Sequence, residues 1–168
     1  MLRELHAELG IPEDYGLDGS RPVFDEAPDL VEVGPNLVGR MQSLAPGAAT
    51  RWIEMQSGAA DDGILLLIVS GYRSIDYQAR LIRRKLNAGQ SVSEILAVNA
   101  APGHSEHHTG RAIDIATPGS RPLTEEFEDS DAFCWLREHA GRYGFSMSYP
   151  RENRAGFIYE PWHWAQKA

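Results

Sequence analysis

What this sequence withholds narrows its function early. It has a single cysteine, Cys134, so no internal disulfide can form. The apolar helical stretch around that cysteine predicts a buried, inert thiol. Basic residues are scarce: 16 Lys and Arg stand against 24 Asp and Glu, for a net charge of -8. No Lys/Arg run interleaves with aromatics, so the positive field that gathers nucleic acid is missing and such a partner is not expected. No apolar run is long enough to span a bilayer. The amino terminus, Met1 to Glu8, carries Arg3, Glu4, His6 and Glu8 in place of the apolar stretch of a secretory leader. A cytoplasmic location is expected on that basis, with the cell envelope as the alternative if the chain is processed or exported by another route.

The 168 residues, 42% of them hydrophobic, suffice for one compact domain and not for two. Residues 1–42, rich in Gly, Pro and Asp, read as an extended wrapping segment with short apolar pieces at Val31–Val33 and Leu37–Gly39 and at most one edge strand. Residues 43–168 read as the functional domain. Ala49, Trp52, Ile53, Met55 and Ala59 recur near helical spacing and predict a helix over Pro46–Asp62, with Pro46 in the first turn, where an N–H is not needed. The unbroken aliphatic run Ile64–Val69 predicts a central strand covered on both faces. Ser74 caps a helix with Tyr77, Leu81, Ile82 and Leu86 on one stripe, stopped by Asn87-Ala88-Gly89. A short helix over Val92–Asn99, a strand over Arg111–Ala116 and a helix over Asp131–Tyr143 ended by Gly144 follow. Phe145–Tyr149 and Gly156–Glu160 flank a turn-rich link and predict an antiparallel hairpin. The pattern is α+β, with helices packed on a small antiparallel sheet.

Two stretches carry the chemistry: Ser105-Glu106-His107-His108-Thr109-Gly110-Arg111-Ala112-Ile113-Asp114 and Glu160-Pro161-Trp162-His163. A hydrolytic zinc takes three protein ligands, keeps a fourth position for water, and has a carboxylate nearby that does not bind the metal. Side chains alternate along a strand, so Ala112 and Asp114 share one face and Ile113 and Ile115 the other, and the small Ala112 leaves room beside the carboxylate. An ionised Asp114 within so apolar a strand is costly unless a cation or donors compensate it. His107, Asp114 and His163 are therefore the predicted ligands and Glu160 the free base. Pro161 breaks the strand ladder and lets Glu160 and His163 approach one point. Of the flanking imidazoles, His104 reads as a wall of the cleft and His108 as a support behind the ligands or a surface residue, while His6 and His139 read as unrelated to the site. Trp162 and Trp164 read as packing around the metal loop.

The pattern Ser-x-His-x-x-Gly-x-Ala-x-Asp followed by Glu-x-x-His, with Ser70-Gly71-Tyr72-Arg73-Ser74 upstream, resembles the zinc D-Ala-D-Ala carboxypeptidases of the vancomycin-resistance VanY type, over about Ser43 to Trp164. The resemblance implies the fold those peptidases share with the hedgehog signalling domain. It implies Zn2+ on His107, Asp114 and His163, and Glu160 as catalytic base and acid. It also implies that Arg73 contacts the substrate carboxylate or the scissile carbonyl, with Ser105 and Gln78 as hydrogen-bonding neighbours. A guanidinium at the carboxyl end of a buried strand suits that task. The implied reaction removes the terminal D-Ala from a peptidoglycan stem peptide or muropeptide, and a monomer is expected. L,D-carboxypeptidase or endopeptidase cleavage of the same stems would use the same metal and base. From other classes, a zinc-holding binding module without catalysis is disfavoured by Glu160 and Arg73 together, and a metal nuclease by the acidic charge.

Overall fold

The computed structural model describes residues 1–167. Helices α1 (Leu2–Glu8), α2 (Pro46–Asp61), α3 (Ile75–Asn87), α4 (Val92–Val98) and α5 (Asp131–His139) accompany a two-stranded ribbon of β1 (Val31–Pro35) and β2 (Met41–Leu44). A second, antiparallel sheet is made of β3 (Leu67–Ser70), β4 (Ala112–Ala116), β5 (Phe145–Met147) and β6 (His163–Gln166), in the spatial order β3-β4-β6-β5. The α+β architecture read from the sequence is the one observed.

The sheet positions the site because its central strand has two different faces. Ile113 and Ile115 of β4 enter a core with Trp52 and Met55 of α2 and Phe133 and Leu136 of α5. Both isoleucines are fully buried, each contributing about 2 kcal/mol of hydrophobic stabilisation. Asp114 alternates onto the opposite face. A second, separate core joins Leu9 and Ile11, which follow α1, to Ala79 and Ile82 of α3 and Ile95 and Leu96 of α4. Side-chain caps fix the helix starts: Ser74 Oγ accepts from Tyr77 N at 3.0 Å, Ser91 and Glu94 form a capping box on α4, and Ser130 caps α5.

Several elements differ from the sequence-based expectation, each for a local reason. The first forty residues are not merely extended, since Leu2 and Leu5 lie at helical spacing in α1, which Leu9 closes. Met41–Leu44 completes a ribbon with Val31–Pro35 rather than leaving one lone strand, so the expected break at residue 42 falls inside β2. β3 is an edge strand, not a central one. Its aliphatic run is explained by Leu66 and Ile68 facing the α2 core, and its free edge is covered by the ribbon, where Asn36 Nδ2 donates to Val69 O at 3.1 Å and Tyr72 N to Ser43 O at 2.8 Å.

The expected hairpin between Phe145–Tyr149 and Gly156–Glu160 does not form. β5 pairs with His163–Gln166 instead, Phe145 opposite Gln166 and Met147 opposite Trp164. The Asn153 side chain takes both backbone groups of Phe157, at 2.8 and 3.2 Å, and Ile158 N donates to Ala97 O at 3.2 Å, so the two segments share the bond from Glu160 N to Tyr149 O at 3.0 Å but build no ladder. The expected helix to Tyr143 tightens into a 3-10 turn over Ala140–Tyr143 before Gly144, whose φ of 80° ends it. Ile53 lies outside the buried stripe of α2, and on α3 the buried positions go to Gln78, Ala79 and Ile82. Cys134 is exposed rather than buried, because Ala132, Phe133, Trp135 and Leu136 take the core face of α5. No described helix is long and apolar enough to cross a membrane.

Candidate metal centre

His107, Asp114 and His163 each bring one ligand atom to within 4.8 Å of the others, and all three residues are buried. Three separate backbone devices achieve this. His107 lies on the 3-10 turn Glu106–Thr109, closed by Gly110 at φ 65°, where an added Cβ would stand 2.7 Å from Ala45 N. Asp114 sits mid-strand in β4, and His163 opens β6 directly opposite it in the antiparallel register, so the two side chains share a face. Glu160 precedes that strand in a turn in which His163 N donates to Glu160 O at 3.2 Å. Glu160 and His163 thus converge through a turn leading into a strand, where a bend at the end of a strand was expected.

The hydrogen bonds of the two rings fix their orientation. His107 Nδ1 donates to Gly71 O at 2.6 Å, which leaves Nε2 as the free lone pair. That Nε2 is buried without a hydrogen-bond partner among the described residues, 3.3 Å from Asp114 Oδ2. Burial, with Arg73 nearby, pushes the His107 pKa down to about 4, so the ring is neutral at pH 7. Burial works against a charged Asp114, yet its contacts to His107 and His163 hold its carboxyl well below the usual range. His163 Nδ1 lies 3.0 Å from Asp114 Oδ1, and its Nε2 lies 2.9 Å from Glu106 Oε2. Against the pull of burial, those two carboxylates raise the His163 pKa to about 10. An orphaned buried imidazole nitrogen facing a carboxylate and a second imidazole fits a borderline metal such as zinc.

Beside this cluster lies a cavity of about 280 Å³ whose lining includes Arg73, Ser105, Tyr149, Glu160 and Trp162. Glu160 is 8% exposed and its Oε2 stands 3.9 Å from His163 Nδ1. Burial pushes its pKa up to about 7. Arg73 follows β3, its N donating to His107 O at 3.1 Å, and its Nε is buried without a hydrogen-bond partner among the described residues. Its charge is therefore uncommitted toward the cavity.

The remaining candidates divide. Ser105 lines the cavity, but Gln78 lies behind its wall, where Nε2 donates to the O of the lining residue Ala100 at 2.8 Å. His104 is not a wall of the cleft: its Nδ1 meets Arg21 O at 2.8 Å and its ring packs on Tyr15 and His6. His108 is fully buried, taking the supporting place behind the site and not the surface one. Gly103 N donates to its Nε2 at 3.0 Å, so Nδ1 carries the proton and donates to Arg73 O at 2.6 Å, anchoring the arginine's backbone. Trp162 and Trp164 both pack in the larger core, and Trp162 also lines the cavity. Sequence reasoning missed Glu106, whose one signal was a carboxylate beside a candidate ligand, and Tyr149, whose ring lies 4.7 Å from that of His163.

A buried His-Asp-His cluster open to a cavity that holds a raised-pKa glutamate and an arginine with no ion-pair partner among the described residues has the parts of a metal-assisted hydrolase. Residues 41–166 match the family model of the VanY D-alanyl-D-alanine carboxypeptidases, and the chain belongs to that family. YodJ of Bacillus subtilis (strain 168), named as a carboxypeptidase, is 37% identical over 156 residues, covering 91% of this chain and 57% of YodJ. The chain thus spans a little over half the length of that relative. Among solved structures, the LdcB LD-carboxypeptidase superposes with a TM-score of 0.74 at 32% identity, over 86% of this chain and 71% of that one. A VanY D,D-pentapeptidase from a VanB-type resistance cassette, in complex with Zn(II), shares the fold at a TM-score of 0.62 and 23% identity, over 88% of this chain and 87% of that one.

Proposed function

We propose that this chain is a zinc-dependent D-alanyl-D-alanine carboxypeptidase that removes the terminal D-Ala from peptidoglycan stem peptides. The observation that carries the reading is the convergence of His107, Asp114 and His163 within 4.8 Å beside a cavity lined by Glu160 and Arg73. Family membership and the Zn(II) held by the VanY relative support it. His107 through its free Nε2, Asp114, and His163 through Nδ1 would hold the metal. Zinc, when bound, supplies a Lewis acid for the scissile carbonyl and acidifies water.

Glu160 takes the proton of the attacking water and passes it to the leaving amine, a task suited to a carboxylate with a pKa of about 7. Arg73, anchored through its backbone by His107 and His108, directs its guanidinium at the oxygen where negative charge develops. Ser105 hydrogen-bonds the peptide from the cavity wall, and Gln78 acts from behind by holding Ala100. All these groups come from one chain, so a monomer is sufficient.

The likeness to an LD-carboxypeptidase favours a second reading, cleavage of tetrapeptide stems at the same centre. Mass spectrometry of pentapeptide and tetrapeptide muropeptides separates the two. The D,D reading expects the pentapeptide to lose one alanine while the tetrapeptide persists; the reverse outcome establishes the L,D reading. Glu160→Gln should retain zinc and lose about 10²- to 10⁴-fold in kcat on either substrate. Undiminished turnover in that variant removes Glu160 from the mechanism.

A further inference from the structure

We propose that Glu106 is a positioning residue that fixes which nitrogen of His163 is presented to the metal. This rests on the zinc reading above. β6 is held to β4 with His163 opposite Asp114, so the ring's place in the fold is set by the ladder. What the ladder leaves open is the tautomer and the rotation of the ring. A neutral imidazole carries one N–H, on either nitrogen, and only the bare nitrogen can ligate.

Glu106 closes that choice. Its Oε2 lies 2.9 Å from His163 Nε2, on the side of the ring away from Asp114, and its side chain is only 24% exposed. A carboxylate accepts and does not donate; without metal both ring nitrogens face one, but a metal on the Nδ1 side, where Asp114 Oδ1 lies 3.0 Å away, displaces the proton there, and Glu106 retains the remaining one at Nε2 so that the lone pair falls on Nδ1. The Tyr149 ring against the face of His163 leaves the imidazole little room to turn. His107 shows the mirror arrangement: Gly71 O accepts from Nδ1 and Nε2 is the free nitrogen. Each ligand ring thus has an acceptor on its far nitrogen, a carbonyl for one and a charged carboxylate for the other.

The two glutamates of the centre are separated by geometry. Glu160 lines the cavity that admits substrate, whereas Glu106 does not, facing instead a groove behind the site beside Ser146 and Ser148. Glu106 therefore acts through His163 and touches no substrate.

Zinc affinity, measured by competition with a chromogenic chelator, tests this apart from catalysis. Glu106→Ala should weaken zinc binding about 10- to 100-fold, and Glu106→Gln, whose amide oxygen still accepts from Nε2–H, should show an intermediate loss. Nitrogen-15 spectra of the zinc-loaded protein should show His163 as the Nε2–H tautomer in the wild type and in Glu106→Gln, with that signature lost or mixed in Glu106→Ala. Should the alanine variant not fold, wild-type zinc affinity in Glu106→Leu, which fills the same space without an acceptor, overturns the proposal. Wild-type affinity together with an intact Nε2–H signature in Glu106→Ala overturns it as well. A wild-type chain that binds no zinc would instead defeat the functional reading on which it stands.

Discussion

Stripped of metal, the protein should lose stability as the pH is raised, and His163 sets the size of the loss. Held between Asp114 and Glu106, its ring keeps its second proton up to about 10, against 6.5 for an ordinary imidazole. Between those two values the folded chain carries a proton that the unfolded chain has released. The stabilisation is complete below about pH 6.5 and is lost as the pH rises through about 10. At about 1.4 kcal/mol per pH unit, the loss has a ceiling of roughly 5 kcal/mol, a large share of a small domain's stability. Two neighbours shape the acid side. Burial raises Glu160 from 4.5 to about 7, so it weakens the fold as the pH climbs through that interval. Burial lowers His107 from 6.5 to about 4, so its contribution is complete above about pH 6.5 and lost as the pH falls through 4. The two oppose each other between about pH 4.5 and 6.5, which predicts a plateau followed by an alkaline decline. Urea midpoints of the fully chelated protein across this range read the curve directly, and His163→Gln should flatten the decline. A wild-type midpoint that stays constant or rises from about pH 7 to about pH 9.5 refutes the placement of a charged His163 between two carboxylates.

Other consequences are local. Arg73→Lys keeps a charge but loses the planar fork, and kcat/KM should fall about 10²- to 10³-fold with zinc content unchanged; equal activity would remove the guanidinium from the transition state. Gly110→Ala forces a side chain onto a backbone at φ 65° with its Cβ 2.7 Å from Ala45 N, and should cost about 1–3 kcal/mol in chemical denaturation. A neutral result there would mean that the histidine turn is not pinned against α2. Ser74→Ala removes the cap bonded to Tyr77 N and should cost about 1 kcal/mol, read as a lowered thermal midpoint.

Much of the centre was legible because its constraints are local in sequence. Asp114 announced itself as a charge inside an apolar strand, and the alternation of Ala112 and Asp114 against Ile113 and Ile115 gave the correct face. Glu160 was recognised as a residue but placed at the end of a strand that does not form, and His163 was left outside the strand it opens. The competing choice, Ile158 N bonding to Ala97 O and the Asn153 amide serving Phe157, depends on partners that no local periodicity reveals. Glu106 stayed hidden for a related reason: its partner lies 57 residues away and only the β4–β6 pairing brings the two together. His104 was misplaced because the segment that claims it, around Tyr15 and Arg21, looked like featureless loop.

The central claim, that His107, Asp114 and His163 form one zinc site on which hydrolysis depends, is tested most directly by metal titration of the purified chain. The account predicts that complete chelation abolishes D-alanine release from pentapeptide, that about one equivalent of zinc restores it, and that Asp114→Ala binds no zinc at that concentration. Hydrolysis persisting undiminished after complete chelation, or stoichiometric zinc in Asp114→Ala, would contradict it.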